Sequence, residues 1–157
     1  YNSVYAVLKK YGYVRYEVSN FALPDYECKH NIVYWTGKEY LGIGLASHSY
    51  MLGKRFCNTE DFDKYVSNLM DKKLAVESVE TLSPVQKREE EIMLALRTNL
   101  GLDTYRLDRL YGGNFLKDKA KEIEFLSKNG FIRLDNGRIF VCENAYYVLS
   151  SIISKLV

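Results

Sequence analysis

Between Phe131 and Cys142 the chain reads FIRL-DNG-RIFVC, two short alternating apolar runs around Asp135-Asn136-Gly137. Asn-Gly tolerates the positive φ that a tight two-residue turn demands, so this stretch predicts a β-hairpin. What precedes it narrows the fold further. Ser83-Pro84 opens a helix, with Gln86 completing a capping box and Val85, Ile92, Met93 and Leu96 on its inner face. Asp103 can cap a second helix through Tyr105, Leu107 and Leu110, stopped by Gly112-Gly113. A third carries Leu116, Ala120, Ile123 and Leu126 and ends at Asn129-Gly130. After the hairpin, Ala145 to Leu156 is helical, apolar at Val148, Leu149, Ile152 and Leu156. Three helices followed by a β-hairpin is the winged-helix order, a variant of helix-turn-helix.

The pattern upstream is different. Val4, Val7, Leu8 and Tyr11 share a helix face that Gly12 terminates, and YVRYEVSNFA then predicts a strand ended by the Ala22-Leu-Pro-Asp25 turn. A short helix from Tyr26 to Trp35, a turn at Thr36-Gly37-Lys38 and a second strand from Tyr40 to Met51 follow. Residues 1–57 thus read as helix, strand, helix, strand, the end of a parallel α/β sheet, and 58–157 as a helical, winged-helix-like domain. Two parallel strands cannot bury both faces of a sheet alone. With a first residue that is not methionine and already lies in a helix, this suggests a fragment of a longer chain. In the second part, Asn58 or Thr59 is expected to cap a helix bearing Phe62, Tyr65, Val66, Leu69 and Met70, ending near Leu74, and AVESVETL is extended.

Composition excludes several classes of function. The 22 basic and 20 acidic residues of the 157 are interspersed for a net charge of +2, so no broad field invites a polyanion. Helix 116–128, the recognition helix of a DNA-binding winged helix, sets Lys117, Lys119, Lys121 and Lys128 against Asp118, Glu122 and Glu124, a net 4 − 3 = +1 with the signs mixed. Phosphate binding needs a basic stripe. The wing adds only Arg133 and Arg138, so nucleic acid is not the expected partner. No apolar run reaches the roughly 18 residues of a membrane span, and the first residues do not resemble a signal peptide, so a cytoplasmic protein is expected. Cys28, Cys57 and Cys142 lie far apart with no CxxC pair, which predicts reduced thiols.

Chemistry concentrates in CKHNIVYWTGKEYLGIGLASHSY, from Cys28 to Tyr50, which holds both histidines and the single tryptophan. On a helix His30, Asn31, Tyr34 and Trp35 stand at i, i+1, i+4 and i+5, bringing an imidazole, an amide, a phenol and an indole to one side. Such a face suits something flat or metallic, although a histidine among aromatic residues also serves as a hydrogen-bonded packing residue. Gly42-Ile-Gly44 reads as a strand stripped for close backbone approach to a ligand or to another strand, and it lacks the third glycine of a dinucleotide turn. Cys28-x-His30 with His48 offers three metal ligands of two types, thiolate and imidazole, but no sequence rule brings them together.

Three blocks carry a family resemblance. Tyr16-Glu-Val-Ser-Asn-Phe-Ala22, Tyr26-Glu-Cys-Lys-His-Asn31 with Tyr34-Trp35, and Tyr40-Leu-Gly-Ile-Gly44 with Ser47-His48-Ser49-Tyr50 resemble the oxygen-independent coproporphyrinogen III oxidase-like group of radical S-adenosylmethionine (SAM) proteins. Leu96-Arg97-Thr98 before Gly101-Leu102, and the hairpin-plus-helix ending, are similar to the C-terminal domain of that group. The resemblance implies that residues 1–57 close a partial radical SAM barrel. Within the group the H-N-x-x-Y-W motif marks a heme chaperone branch, which implies His30 as heme ligand with Asn31, Tyr34 and Trp35 around the porphyrin. It also implies that Gly42, Gly44 and His48 border the cavity for SAM and substrate. A heme-acceptor protein is the implied partner. The CxxxCxxC motif that holds the group's [4Fe-4S] cluster is absent, so cluster and SAM are expected only in a full-length parent and this stretch is expected to be catalytically inert. The alternatives are a coproporphyrinogen III dehydrogenase, which decarboxylates propionate side chains oxidatively, and a winged-helix protein-interaction module.

Overall fold

The computed structural model describes residues 2–157. By compactness the chain forms two units, one containing the chain up to Thr36 together with Pro84–Val157, the other Gly37–Ser83. The change of sequence pattern near Asn58 falls inside the second of these units.

The first unit begins with helix α1 (Asn2–Lys10). Tyr11 and Gly12 close it, Gly12 at φ +82° with its N–H donating to the Lys9 carbonyl (3.1 Å). The single strand expected after it is instead two short strands, β1 (Val14–Arg15) and β2 (Phe21–Ala22), paired antiparallel. Ser19-Asn20 supply the reason, since short polar side chains favour a turn over an extended run. The Tyr16 N–H reaches the Asn20 carbonyl (3.2 Å), and the Glu17 carboxylate accepts from the Ser19 N–H (3.1 Å). Helix α2 (Lys29–Trp35) follows.

The remainder of this unit holds the hydrophobic core. Helix α4 (Pro84–Ala95; α3 lies in the other unit) leads through β6 (Leu102–Asp103) into α5 (Thr104–Tyr111). Next come α6 (Phe115–Asp118), α7 (Ala120–Lys128), the hairpin β7 (Ile132–Asp135) and β8 (Arg138–Val141), a 3₁₀ segment (Glu143–Val148) and α8 (Leu149–Leu156). The strands form an antiparallel sheet in the order β6-β8-β7, with Leu134 opposite Ile139 and Leu102 opposite Ile139 on its other side. Ile92, Leu96, Leu107, Phe115, Ile139 and Leu156 are wholly buried between this sheet and the helices. Each such side chain contributes roughly 1.5–3 kcal/mol of burial free energy.

The expected hairpin turn is present, Asn136 and Gly137 both at positive φ (48° and 75°). The Gly137 carbonyl accepts from both the Thr104 N–H (3.0 Å) and its hydroxyl (2.7 Å), docking the turn on the start of α5. A Cβ on Gly137 would stand 2.1 Å from the Tyr105 ring. Three expectations are corrected here. Val85 is exposed rather than inward, the helix expected through 116–128 is broken at Lys119 (φ −107°, ψ 23°), and the last helix begins with a 3₁₀ segment.

In the second unit β3 (His48–Met51), β4 (Lys54–Asn58) and β5 (Val76–Thr81) form an antiparallel meander with a bulge at Cys57-Asn58. No parallel pair occurs among the described residues, which corrects the parallel sheet expected of residues 1–57. Hairpin connections through Leu52-Gly53 suit antiparallel neighbours, whereas parallel strands need a long crossover. The strand expected from Tyr40 is also shorter. Gly44 (φ +107°) and Ala46 (φ +55°) turn the chain, leaving only a bridge between Tyr40 and Tyr50 before β3. Helix α3 (Phe62–Met70) starts at Asp61, whose carboxylate accepts from the Lys64 N–H (2.9 Å), and stops before Leu74 because Lys72 adopts positive φ (58°). Its Phe62 and Met70 are exposed, and this unit buries only Ser49, Thr59, Ala75 and Leu82 among the described residues.

Candidate functional site

Helix α2 presents the four nominated side chains on a short support. Its seven residues are fewer than the roughly 12–15 an isolated helix needs, and none of them is buried. Cys28 has the extended backbone of an N-cap (φ −66°, ψ 101°) but makes no side-chain cap bond. At the other end the Thr36 hydroxyl donates to the Ile32 carbonyl (2.7 Å), and Gly37 (φ +62°) turns the chain away.

A helix advances 100° per residue, so His30 and Tyr34 lie almost in line along the axis, with Asn31 and Trp35 one step round. The Tyr34 hydroxyl stands 3.1 Å from His30 Nε2, and the two rings meet edge-on, centroids 4.9 Å apart at 87°. His30 and Tyr34 are exposed, Asn31 and Trp35 half-buried. The arrangement offers one imidazole nitrogen and two broad aromatic faces to a ligand arriving from solvent. Imidazole is a good axial ligand to porphyrin iron, and an indole and a phenol provide flat apolar area, so this donor set fits heme.

The glycine segment lies in the other unit and has a packing explanation of its own. A Cβ on Gly42 would stand 2.2 Å from the His48 carbonyl oxygen, and the Gly42 N–H donates to the Ser49 hydroxyl (3.0 Å). The close approach foreseen for this glycine is made to the chain's own backbone. The Gly44 carbonyl accepts from Ser47 Oγ (2.8 Å) and Asn58 Nδ2 (2.9 Å), and His48 is exposed on β3 opposite Cys57. Among the described residues no cluster of three or more His, Cys, Asp or Glu is placed to hold a metal ion. The three cysteines are free thiols, with Cys57 Sγ 3.1 Å from Ser78 Oγ. They do not fit an iron–sulfur cluster.

One cavity, about 390 Å³, includes no nominated residue; Arg15, Arg133, Phe140, Glu143 and Tyr146 are among those lining it. Arg15 is 4% exposed, its guanidinium 4.7 Å from the Tyr5 ring centroid, 5.1 Å from Phe21 and 4.5 Å from Tyr146. The Tyr5 hydroxyl is pushed up to about 12, chiefly by burial and then by its hydrogen bond and proximity to Glu143. The available signal for Arg15 was a charge inside a run of β-branched and aromatic residues. Lys128 on α7 pairs with Glu124, and Lys119, between α6 and α7, reaches the carbonyls of Lys155 and Val157, so these lysines are engaged within the protein. No helix among the described residues is long and apolar enough to cross a membrane.

Residues 82–148 match the model of the HemN C-terminal domain. Over 99% of its length the chain superimposes on coproporphyrinogen III oxidase (HemN) from Escherichia coli, described as a radical SAM enzyme, with a TM-score of 0.76 and 18% identity, covering 39% of that chain. At this identity the likeness speaks for the fold. Residues 82–148 thus carry a HemN C-terminal domain, and the chain as a whole is similar to coproporphyrinogen III oxidase-like proteins.

Within that group its similarity runs to heme chaperones. It is 32% identical to the heme chaperone HemW of Lactococcus lactis over 155 residues, 99% of this chain and 40% of that protein. To the heme chaperone HemW of Bacillus subtilis it is 27% identical over 141 residues, 90% of this chain and 37% of that protein. The chain thus spans about 40% or less of the length of these relatives.

Proposed function

We propose that the protein binds heme as cargo on α2 and passes it to an acceptor protein. The observation that carries this reading is an unburied helix on which His30, Asn31, Tyr34 and Trp35 are presented together. A helix without buried residues adds little to the core, which leaves its imidazole and aromatic groups accessible to a ligand. His30 would ligate the iron, while Tyr34 and Trp35 supply apolar area and Asn31 an amide that can hydrogen-bond. The similarity to proteins named as heme chaperones supports the same cargo.

In this reading residues 1–57 are the closing part of a radical SAM barrel and 58–157 a winged-helix-like domain. The helix order α4, α5, α7 and the strand order β6-β8-β7 favour the second assignment. Gly42, Gly44 and His48 would border the barrel's mouth. A [4Fe-4S] cluster would supply the electron for SAM cleavage in a full-length parent; among the described residues no cluster of ligands is placed to hold it, and no catalytic role is proposed for this stretch. Free cysteines suit a reducing, cytoplasmic setting.

Heme titration of the full chain, followed by the Soret band, tests the reading. We expect a shifted band that His30→Ala weakens or abolishes, because the imidazole would be the axial ligand. An identical titration for the variant would remove His30 as ligand. Porphyrinogen decarboxylation that depends on SAM and reductant would favour the dehydrogenase alternative.

A further inference from the structure

We propose that Tyr34 masks His30: iron is bound through Nε2, the imidazole nitrogen that the Tyr34 hydroxyl occupies, so heme must displace this hydrogen bond to load, and the bond re-forms on release. The proposal rests on the heme reading above. Its basis is the 3.1 Å contact between Tyr34 Oη and His30 Nε2, together with the edge-on ring geometry.

A neutral imidazole has one pyridine-type lone pair. If the phenol donates, that lone pair is on Nε2 and points at Tyr34, with the proton on Nδ1. If Nε2–H donates to the phenol oxygen, Nε2 carries a proton and cannot ligate until the tautomer changes. In both tautomers, coordination through Nε2 requires the Tyr34 contact to break. His30 and Tyr34 are four residues apart on one helix, so the mask is local and requires no movement of another element.

The strength of the mask suits a carrier. Both partners are exposed and water competes for them, so the net effect on a binding equilibrium is roughly two- to tenfold. A mask of that size lowers affinity without abolishing it. It also gives the imidazole an internal partner at the moment the iron leaves, where a bare imidazole would tend to rebind.

Tyr34→Phe keeps the ring and deletes only the hydroxyl. We expect it to tighten heme binding roughly two- to tenfold and to accelerate loading, measured by Soret titration and stopped flow. In the heme-free protein the His30 ring ¹⁵N shifts should move towards those of a solvent-exposed imidazole. Tyr34→Ala, which also removes the aromatic area, should bind more weakly than Tyr34→Phe. Unchanged or weakened heme binding by Tyr34→Phe, or unchanged His30 shifts, would overturn the mask. His30→Ala separates the two claims: if it loses heme while Tyr34→Phe fails to gain, the heme reading stands and the mask falls. If His30→Ala binds as the parent does, the heme reading itself falls.

Discussion

Helices α2 and α5 belong to the same compact unit and are nearly equal in length, seven and eight residues, yet they are held in opposite ways. Helix α5 has an N-cap, Asp103, that accepts from the Arg106 N–H (2.9 Å), a wholly buried Leu107, a buried Thr104 bound to the hairpin turn, and Gly112 to end it. Helix α2 has an uncapped start and no buried side chain. The lesson is a division of labour. On α5, Thr104 and Leu107 are committed to the core, whereas α2 buries no side chain and presents its own towards solvent.

That contrast is open to direct test, and the largest expected effect lies on α5. Leu107→Ala should destabilise the protein by about 2–5 kcal/mol, the range for deleting a buried leucine and leaving a cavity. Chemical denaturation monitored by circular dichroism would measure it. A loss below ~1 kcal/mol would mean that α5 is not the anchor its burial indicates. Next in size, Asp103→Ala removes the cap but leaves Leu107 in place, and should cost about 1 kcal/mol by the same measurement.

The two helices also differ in how far their roles could be read in advance. For α5, Asp103, the spacing of Leu107 and the Gly112-Gly113 stop each state a local rule, and the structure follows all three. The Asp135-Asn136-Gly137 turn was equally plain, because positive φ at two successive residues leaves few choices of side chain. Helix α2 is legible in its residues, but the heme reading of it rests on family resemblance, since an exposed histidine beside a tyrosine obeys no packing rule. Alternation identifies strands and not their partners, so the parallel pairing expected of residues 1–57 gives way to antiparallel pairs formed across turns at Ser19-Asn20 and Leu52-Gly53. For Gly42, the sequence left ligand and backbone as equal candidates for close approach, and only the position of the His48 carbonyl separates them.

The smallest expected effect lies on α2 and sharpens the comparison from the other side. Cys28 already has the extended backbone of a cap and lacks only a strong acceptor, because a thiol sulfur accepts hydrogen bonds weakly. Cys28→Ser supplies an oxygen at nearly the same place, next to N–H groups that the helix leaves unsatisfied. A serine cap contributes about 1 kcal/mol at most in such a setting. With no α2 side chain in the core, that gain should appear as local closure and leave the global unfolding midpoint where it was. Hydrogen exchange of the α2 amides is the measurement, with protection expected to rise roughly three- to fivefold. Unchanged exchange would mean that contacts other than capping fix the helix, and the contrast between a core-anchored α5 and an α2 without core anchors would fail.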